Sequence, residues 1–260
     1  MGLRARKLRV VLGGNTIIHN VDFQAAPGQF IGILGPSGCG KSTLLRALSG
    51  FRPATEGTVI YDGKDLYENF EELKHSIGFV PQDDVVPMAL KVERVLGYSA
   101  ELRLREFSVE ERAGRVNGVL RTLGMTESRR RRVSKLSGGQ RKRVSVGMEL
   151  ISRPELIFAD EPTSGLDPAL ERSLTETFKE LTTGGRIVVV TTHIMSSLDL
   201  LDMVCVLGEG RLCYFGPVKE LKKFFGVEDY VQIYARLQEK SAAAWHEAYK
   251  KSTLGAEYLT

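Results

Sequence analysis

Eight consecutive residues, Gly35-Pro36-Ser37-Gly38-Cys39-Gly40-Lys41-Ser42, fit the pattern G-x-x-x-x-G-K-[ST] at every fixed position. Glycines at these places let successive backbone N–H groups converge on phosphate oxygens. A helix opening behind Lys41 would aim the positive end of its dipole at the same oxygens. Lys41 can then reach the outer phosphates, and the Ser42 hydroxyl can ligate Mg²⁺. With glycine near 7% of average usage, the fixed positions should match by accident in roughly one chain of this length per hundred. The competing reading is a tight turn with a surface lysine. Context argues against it: the apolar run Phe30–Leu34 feeds the loop, and the helix-like Ser42–Ser49 follows it. Gly35 through Thr43 are therefore the candidate phosphate-binding residues.

Two further constellations carry chemistry. Leu156-Ile157-Phe158-Ala159 reads as a buried strand that delivers Asp160 and Glu161 to its C-terminal end, the end where open α/β sheets bind ligands. Asp160 would hold Mg²⁺, and Glu161 would polarise an attacking water, a role worth about 10²–10⁴-fold in rate. Alone, two acids at a strand end are as often solvated as functional; beside a phosphate loop the balance tips. The second is Leu136-Ser137-Gly138-Gly139-Gln140, just ahead of the helix-like Arg141–Ile151. Ser137 and the glycine N–H groups make another anion site at a helix N-terminus. A plain N-cap would explain Ser137, but not the glycines and Gln140.

These residues need a frame. Leu8–Phe23 reads as strands turning at Gly13-Gly14-Asn15, and Thr58–Tyr61 and Ile77–Pro81 as further strands. From Val92 to Ser152 the spacing becomes helical: Val92, Val95, Leu96 and Ser99 share one face, as do Val116, Leu120 and Leu123. Arg153-Pro154 ends the last helix. The helix-like Ala169–Thr182 separates two buried-strand candidates, Leu156–Ala159 and Ile187–Thr191, which is the βαβ pattern of a parallel sheet. Met203–Leu207 and Arg211–Phe215 read as a hairpin, across which Cys205 and Cys213 could face each other, though packing thiols are the simpler reading. The stretch after Pro217 is mostly helical. The fold class is α/β.

Composition sets the bounds. The 260 residues are 42% hydrophobic and 26% charged with a formal charge of +4, which is ordinary globular composition that permits anionic partners and selects none. No run approaches the roughly 18 apolar residues of a membrane helix. The basic start lacks the apolar run of a secretory signal. Three cysteines, Cys39, Cys205 and Cys213, give neither a disulfide framework nor a zinc site and read as reduced thiols. Arg129–Arg132 with Lys135, Arg141, Lys142 and Arg143 is a dense basic cluster. Without interleaved aromatics for base stacking, it reads as a solvated face or a contact for acidic partner loops, and no nucleic acid is expected.

Taken together, these motifs resemble the ABC ATPases over nearly the whole chain. Leu136–Gln140 looks like that family's signature motif. The resemblance implies a RecA-like core with an antiparallel β edge, at about residues 1–90 and 153–216. It implies a helical subdomain inserted at about 91–152, with a helical tail at 217–260. It implies ATP and Mg²⁺, with Mg²⁺ held by Ser42, Asp160 and Gln82. Two copies would form a head-to-tail dimer in which Ser137, Gly138, Gly139 and Gln140 of one close over the phosphates bound by the other. By the same resemblance Gln82 senses Mg²⁺ and water and links to a membrane partner. Asp167, in Ser164-Gly165-Leu166-Asp167, crosses the dimer interface, and His193 contacts the outermost phosphate. An aromatic residue usually stacks on adenine upstream of the phosphate loop; here Leu12 holds that place, so stacking is lost. The stretches Leu136–Val144, Gly147–Leu150, Asp160–Asp167 and Tyr98–Leu104 are similar to the G subfamily, in which the ATPase precedes a membrane domain in one chain. The implied work is ATP hydrolysis at the cytoplasmic membrane face, powering export by a transmembrane domain. Two other readings are a non-transport member acting on nucleic acid and a regulatory module without turnover; Glu161 argues against the second.

Overall fold

The computed structural model describes residues 2–193 and 195–259. In chain order, β1 (Leu3–Leu12) and β2 (Asn15–Ala25) form a hairpin, followed by β3 (Phe30–Leu34), α1 (Lys41–Leu48), β4 (Glu56–Tyr61) and β5 (Lys64–Asp65). The hairpin turns at Gly13 and Gly14, both with positive φ (56° and 82°), as a two-residue turn matching the strand twist requires. Along β1 the buried residues are Leu3 and Ala5, then Leu8 and Val10. The change of parity comes from a bulge at Lys7, whose φ is 49°; one extra residue there returns the apolar side chains to the core face.

A short helix α2 (Phe70–Leu73) leads to β6 (Ile77–Val80), and the chain then turns wholly helical: α3 (Val92–Arg103), α4 (Val109–Thr122) and α5 (Gly138–Leu150). Val92, Val95, Leu96 and Ser99 are buried together, as are Val116, Leu120 and Leu123. The chain re-enters the sheet as β7 (Leu156–Ala159), crosses through α6 (Pro168–Thr182) to β8 (Ile187–Thr191), and closes with the hairpin β9 (Met203–Gly208) and β10 (Arg211–Pro217). The larger sheet runs β10-β9-β3-β8-β7-β6, and the smaller β2-β1-β4-β5. From β9 to β6 every neighbour is parallel. β3, β7 and β8 are buried end to end, as parallel strands covered on both faces must be. The α/β class is borne out.

The tail forms α7 (Val218–Phe225), α8 (Gln232–Gln238), α9 (Ala242–Lys250) and α10 (Thr253–Tyr258). Its aromatics pack on β10: the rings of Tyr214 and Phe224 lie 5.1 Å apart, and those of Phe225 and Trp245 4.9 Å. β10 is an edge strand. Two of its carbonyls are taken by the tail, Leu212 O by His246 Nδ1 and Phe215 O by the Tyr249 hydroxyl, both at 2.7 Å. The tail therefore covers an edge that would otherwise offer itself for strand pairing.

Cys205 and Cys213 do not face each other. Cys205 sits opposite Phe215, and Cys213 falls in the register shift between Leu212 and Tyr214. Both are free, buried thiols. Burial pushes Cys213 up to about 12 and Cys205 well above the ordinary thiol value.

Candidate functional site

The residues with chemical promise gather at the C-terminal ends of β3, β7 and β8. β3 releases the chain into the glycine loop, whose Pro36, Ser37 and Gly38 are exposed while Gly35, Cys39 and Gly40 are buried. Gly40 (φ 104°) caps α1 with no side-chain hydrogen bond, so the helix N-terminus keeps its backbone donors open. A Cβ at Gly40 would meet Ile18 Cδ1 at 2.8 Å, so the loop is pressed against β2. A Cβ at Gly38 would meet nothing within 4 Å, which leaves the concave side open to a ligand. Lys41 is 6% exposed and turns back to the carbonyls of Gly35 (3.0 Å) and Pro36 (3.2 Å). Thr43 lies in the first turn of α1, half-buried.

Asp160 is 1% exposed. Its Oδ1 accepts from Ser42 Oγ and from Thr191 Oγ1, both at 2.7 Å. Its Oδ2 is buried without a hydrogen bond, with Arg46 Nη2 3.7 Å away. A buried carboxylate oxygen left short beside a serine hydroxyl is a hard-oxygen donor set of the kind Mg²⁺ takes, so these residues fit that ion. Glu161 follows with a left-handed backbone (φ 42°), held by Thr191 Oγ1 accepting its N–H at 2.8 Å. Non-glycine residues in that region concentrate where function demands them. The kink brings Glu161 Oε1 to 3.8 Å from Lys41 Nζ and Oε2 to 3.4 Å from His193 Nδ1.

Burial raises the Cys39 thiol above its ordinary value, with Lys41 working the other way. The tail contributes a residue that spacing did not reveal: Tyr234 of α8 sets its buried hydroxyl, unpartnered among the described residues, against the Gly35 backbone. Burial lifts that phenol to about 12.

The remaining candidates stand apart. Ser137 and Gln140 close a reciprocal capping box at the start of α5: Ser137 Oγ accepts from Gln140 N (3.3 Å), and Gln140 Oε1 from Ser137 N (3.2 Å). The helix thus opens at Gly138, three residues earlier than the spacing of Arg141–Ile151 implied, and local capping accounts for Gln140 as well as Ser137. Gly139 is explained by packing, since a Cβ there would stand 3.0 Å from Leu170 Cδ1. Gly138 is not explained, for its Cβ would meet open space. Asp167 caps α6 through the N–H groups of Ala169 and Leu170. Leu12 is half-buried at the end of β1. Among the described residues, no hydrogen bond or ion pair joins this group to the phosphate loop.

Gln82 is exposed, and what anchors it is its carbonyl. Lys142 of α5, 4% exposed, donates to Gln82 O at 2.6 Å and Pro81 O at 3.4 Å and pairs with Asp84 Oδ1 at 2.9 Å. An ammonium has three protons, and here each has an acceptor. The basic cluster is therefore only partly a solvated face. Arg130 and Arg132 are exposed. Arg143 instead holds Leu123 O and Ser173 Oγ, and Arg141 holds Leu136 O. A lysine five places after an N-cap carries no mark of burial in the sequence.

A phosphate loop after β3, a carboxylate pair after β7 and a histidine after β8 define a P-loop nucleotide-binding protein of the RecA-like class. The family model described as "ABC transporter" matches residues 18–164, and the chain belongs to that family as its ATP-binding ATPase domain. It is 40% identical over 234 residues to an ABC transporter ATP-binding/permease protein of Mycobacterium tuberculosis, covering 89% of this chain and 27% of that protein. To ABC transporter G family member 14 of Arabidopsis thaliana it is 38% identical over 219 residues, 81% of this chain and 33% of the other. The chain thus spans about a quarter to a third of these relatives. A dimeric ATP-binding cassette in a post-hydrolysis state with ADP and phosphate superposes with a TM-score of 0.73 at 27% identity, over 83% of this chain and 98% of that one. Among the described residues no helix is long and apolar enough to cross a membrane.

Proposed function

We propose that this domain hydrolyses ATP in a head-to-tail pair and thereby drives export through a membrane domain at the cytoplasmic face. The observation that carries the pairing is the split site: Lys41, Ser42, Asp160, Glu161 and His193 converge, while the Ser137–Gln140 turn presents Gly138 to open space. In this reading Gly35 through Thr43 hold the phosphates, and Leu12 rests against the base. Lys41 leaves the loop carbonyls for the outer phosphates. Ser42, Asp160 and Gln82 would hold Mg²⁺, which neutralises developing charge on the phosphates. Glu161 accepts the proton of the attacking water at its carboxylate, and His193 holds the outermost phosphate beside it. Ser137, Gly138, Gly139 and Gln140 of the second copy close the site, and Asp167 crosses the interface.

The membrane partner is supported by apolar side chains left exposed: Val85 and Met88 follow Gln82 in the chain, and Tyr98 and Leu102 stand on α3. The relatives support the same assignment, since one pairs an ATP-binding part with a permease part in its name.

The test is the ATPase rate against protein concentration, with Mg²⁺, for the native chain and Ser137→Arg. Specific activity should rise with concentration and collapse in the variant. A concentration-independent rate indifferent to Ser137 would mean a self-contained site and would overturn the pairing.

A further inference from the structure

At the opposite end of the sheet from the phosphate loop, where β7 and β8 begin, lies a cleft of about 400 Å³. Arg115 and Arg121 of α4, Arg153 before β7 and Arg186 before β8 line it, with no aspartate or glutamate among the lining residues. Among the described residues none of the four makes an ion pair. Arg186 is committed to carbonyls, those of Pro154 (3.2 Å) and Leu181 (3.3 Å). Arg115 is not: its Nη1 is buried without a hydrogen-bond partner, and the guanidinium is steadied over the Phe107 ring at 5.8 Å. Guanidiniums gathered in one concavity repel one another, and a buried N–H left unbonded carries a desolvation cost. An anion offsets both.

Two backbone choices point the same way. Arg153 closes the turn after α5 with φ 53°, a conformation that favours glycine. The chain tolerates that strain in a position that presents an arginine to the cleft. Gly114 and Gly118, one helical turn apart, form part of the α4 wall, and a Cβ at either would meet nothing within 4 Å. Packing does not ask for glycine there, and helix propensity disfavours it. What the glycines do is keep the cleft wide.

We infer that this cleft is a second anion-binding site, separate from the nucleotide site, built for a small ligand carrying more than one phosphate group. Arginine suits such a ligand because its planar fork matches phosphate oxygens two at a time. Arg115 and Arg121 belong to the helical insertion, and Arg153 and Arg186 to the ends that feed the central sheet, so a bound anion would pin one to the other. That the pinning would slow or speed turnover rests on the proposed ATPase role; the binding itself does not.

The test uses Lys41→Ala, which disables the phosphate loop, titrated with inorganic pyrophosphate by calorimetry. Parallel sedimentation uses vesicles of cardiolipin and of phosphatidylcholine. We expect one saturable pyrophosphate site, weakened at least tenfold by Arg115→Gln or Arg153→Gln and also by Gly118→Ala, which leaves charge unchanged and favours the helix. Arg52→Gln, an exposed charge elsewhere, should change nothing. Saturable binding to cardiolipin but not to pyrophosphate, with the same sensitivity, would identify the phosphates as those of a lipid headgroup. No saturable binding to either probe, or binding indifferent to Arg153→Gln and Gly118→Ala, would overturn the site. If Arg115→Gln does not fold, those two variants still decide the matter.

Discussion

The chain uses one physical device twice, and the two copies are finished differently. At α1 the helix N-terminus is left uncapped, and Lys41, Ser42, Asp160, Glu161 and His193 are drawn around it from three separate stretches of chain. At α5 the N-terminus is capped within the helix itself by Ser137 and Gln140, and nothing from the phosphate loop reaches it. In the proposed pairing the first half binds and activates but lacks a cover. The second offers backbone and a short hydroxyl with nothing of its own chain to cover. Their complementarity gives a physical reason for two copies, independent of family resemblance.

The sharpest way to break the comparison is to disable one half and leave the other intact. Glu161→Gln keeps the shape and the hydrogen bond of its backbone to Thr191 but removes the base. Turnover should fall by about 10²–10⁴-fold, while ATP binding persists and the ATP-bound dimer accumulates, as seen by ATPase assay and light scattering. A rate within a few-fold of the native one would remove Glu161 from its role and leave the pairing untouched.

The next largest effect should come from the joint between the halves. Lys142 sits one turn into the helix that Ser137 caps and grips the backbone of Gln82 and the carboxylate of Asp84. Any movement of α5 toward a second copy therefore pulls on the Gln82 loop. Lys142→Met preserves length and removes hydrogen bonds to two part-buried carbonyls and the ion pair with Asp84. Stability should drop by about 1–3 kcal/mol, measured by denaturant titration. Turnover should drop by roughly 10–100-fold through misplacement of Gln82, with the ATP dissociation constant little changed. Asp84→Asn should give a milder version of the same split between turnover and affinity. Equal losses in both quantities would mean that Lys142 only holds the fold together.

The two halves also differed in how far the sequence disclosed them. The phosphate loop and Asp160-Glu161 were legible because their chemistry demands fixed residue types next to strands whose apolar runs are unambiguous; β3, β7 and β8 fall on the stretches that periodicity marked. At the signature turn the sequence showed Ser137 and Gln140 but not that they satisfy each other, because a capping box and an anion site use the same residues. Lys142, Glu171 and Tyr234 were invisible for a different reason. Each is polar and sits at ordinary helical spacing, and what folds against it comes from a distant segment: Glu171 accepts from Ser196 and Ser197 at 2.9 and 2.6 Å in the stretch just after His193. Burial of a polar side chain depends on what folds over it, and periodicity carries no record of that. The cleft arginines were hidden in the same way, spread over α4 and two strand approaches.

The smallest effect tests a loss within the first half alone. Leu12 ends β1 half-buried, where an apolar branched side chain can touch an adenine edge but offers no ring face. Leu12→Tyr restores one. Aromatic pairing is worth about 0.5–1.5 kcal/mol beyond area burial, so ATP should bind roughly 2–10-fold more tightly, read by titration with a fluorescent ATP analogue. Because Leu12 belongs to the phosphate-loop half, the gain should already be present at concentrations where the protein is monomeric. It should carry over undiminished to Ser137→Arg. An unchanged affinity would mean that another side chain holds the base. A gain seen only at high concentration would place the base at the interface, and the division between the two halves would have to be redrawn there.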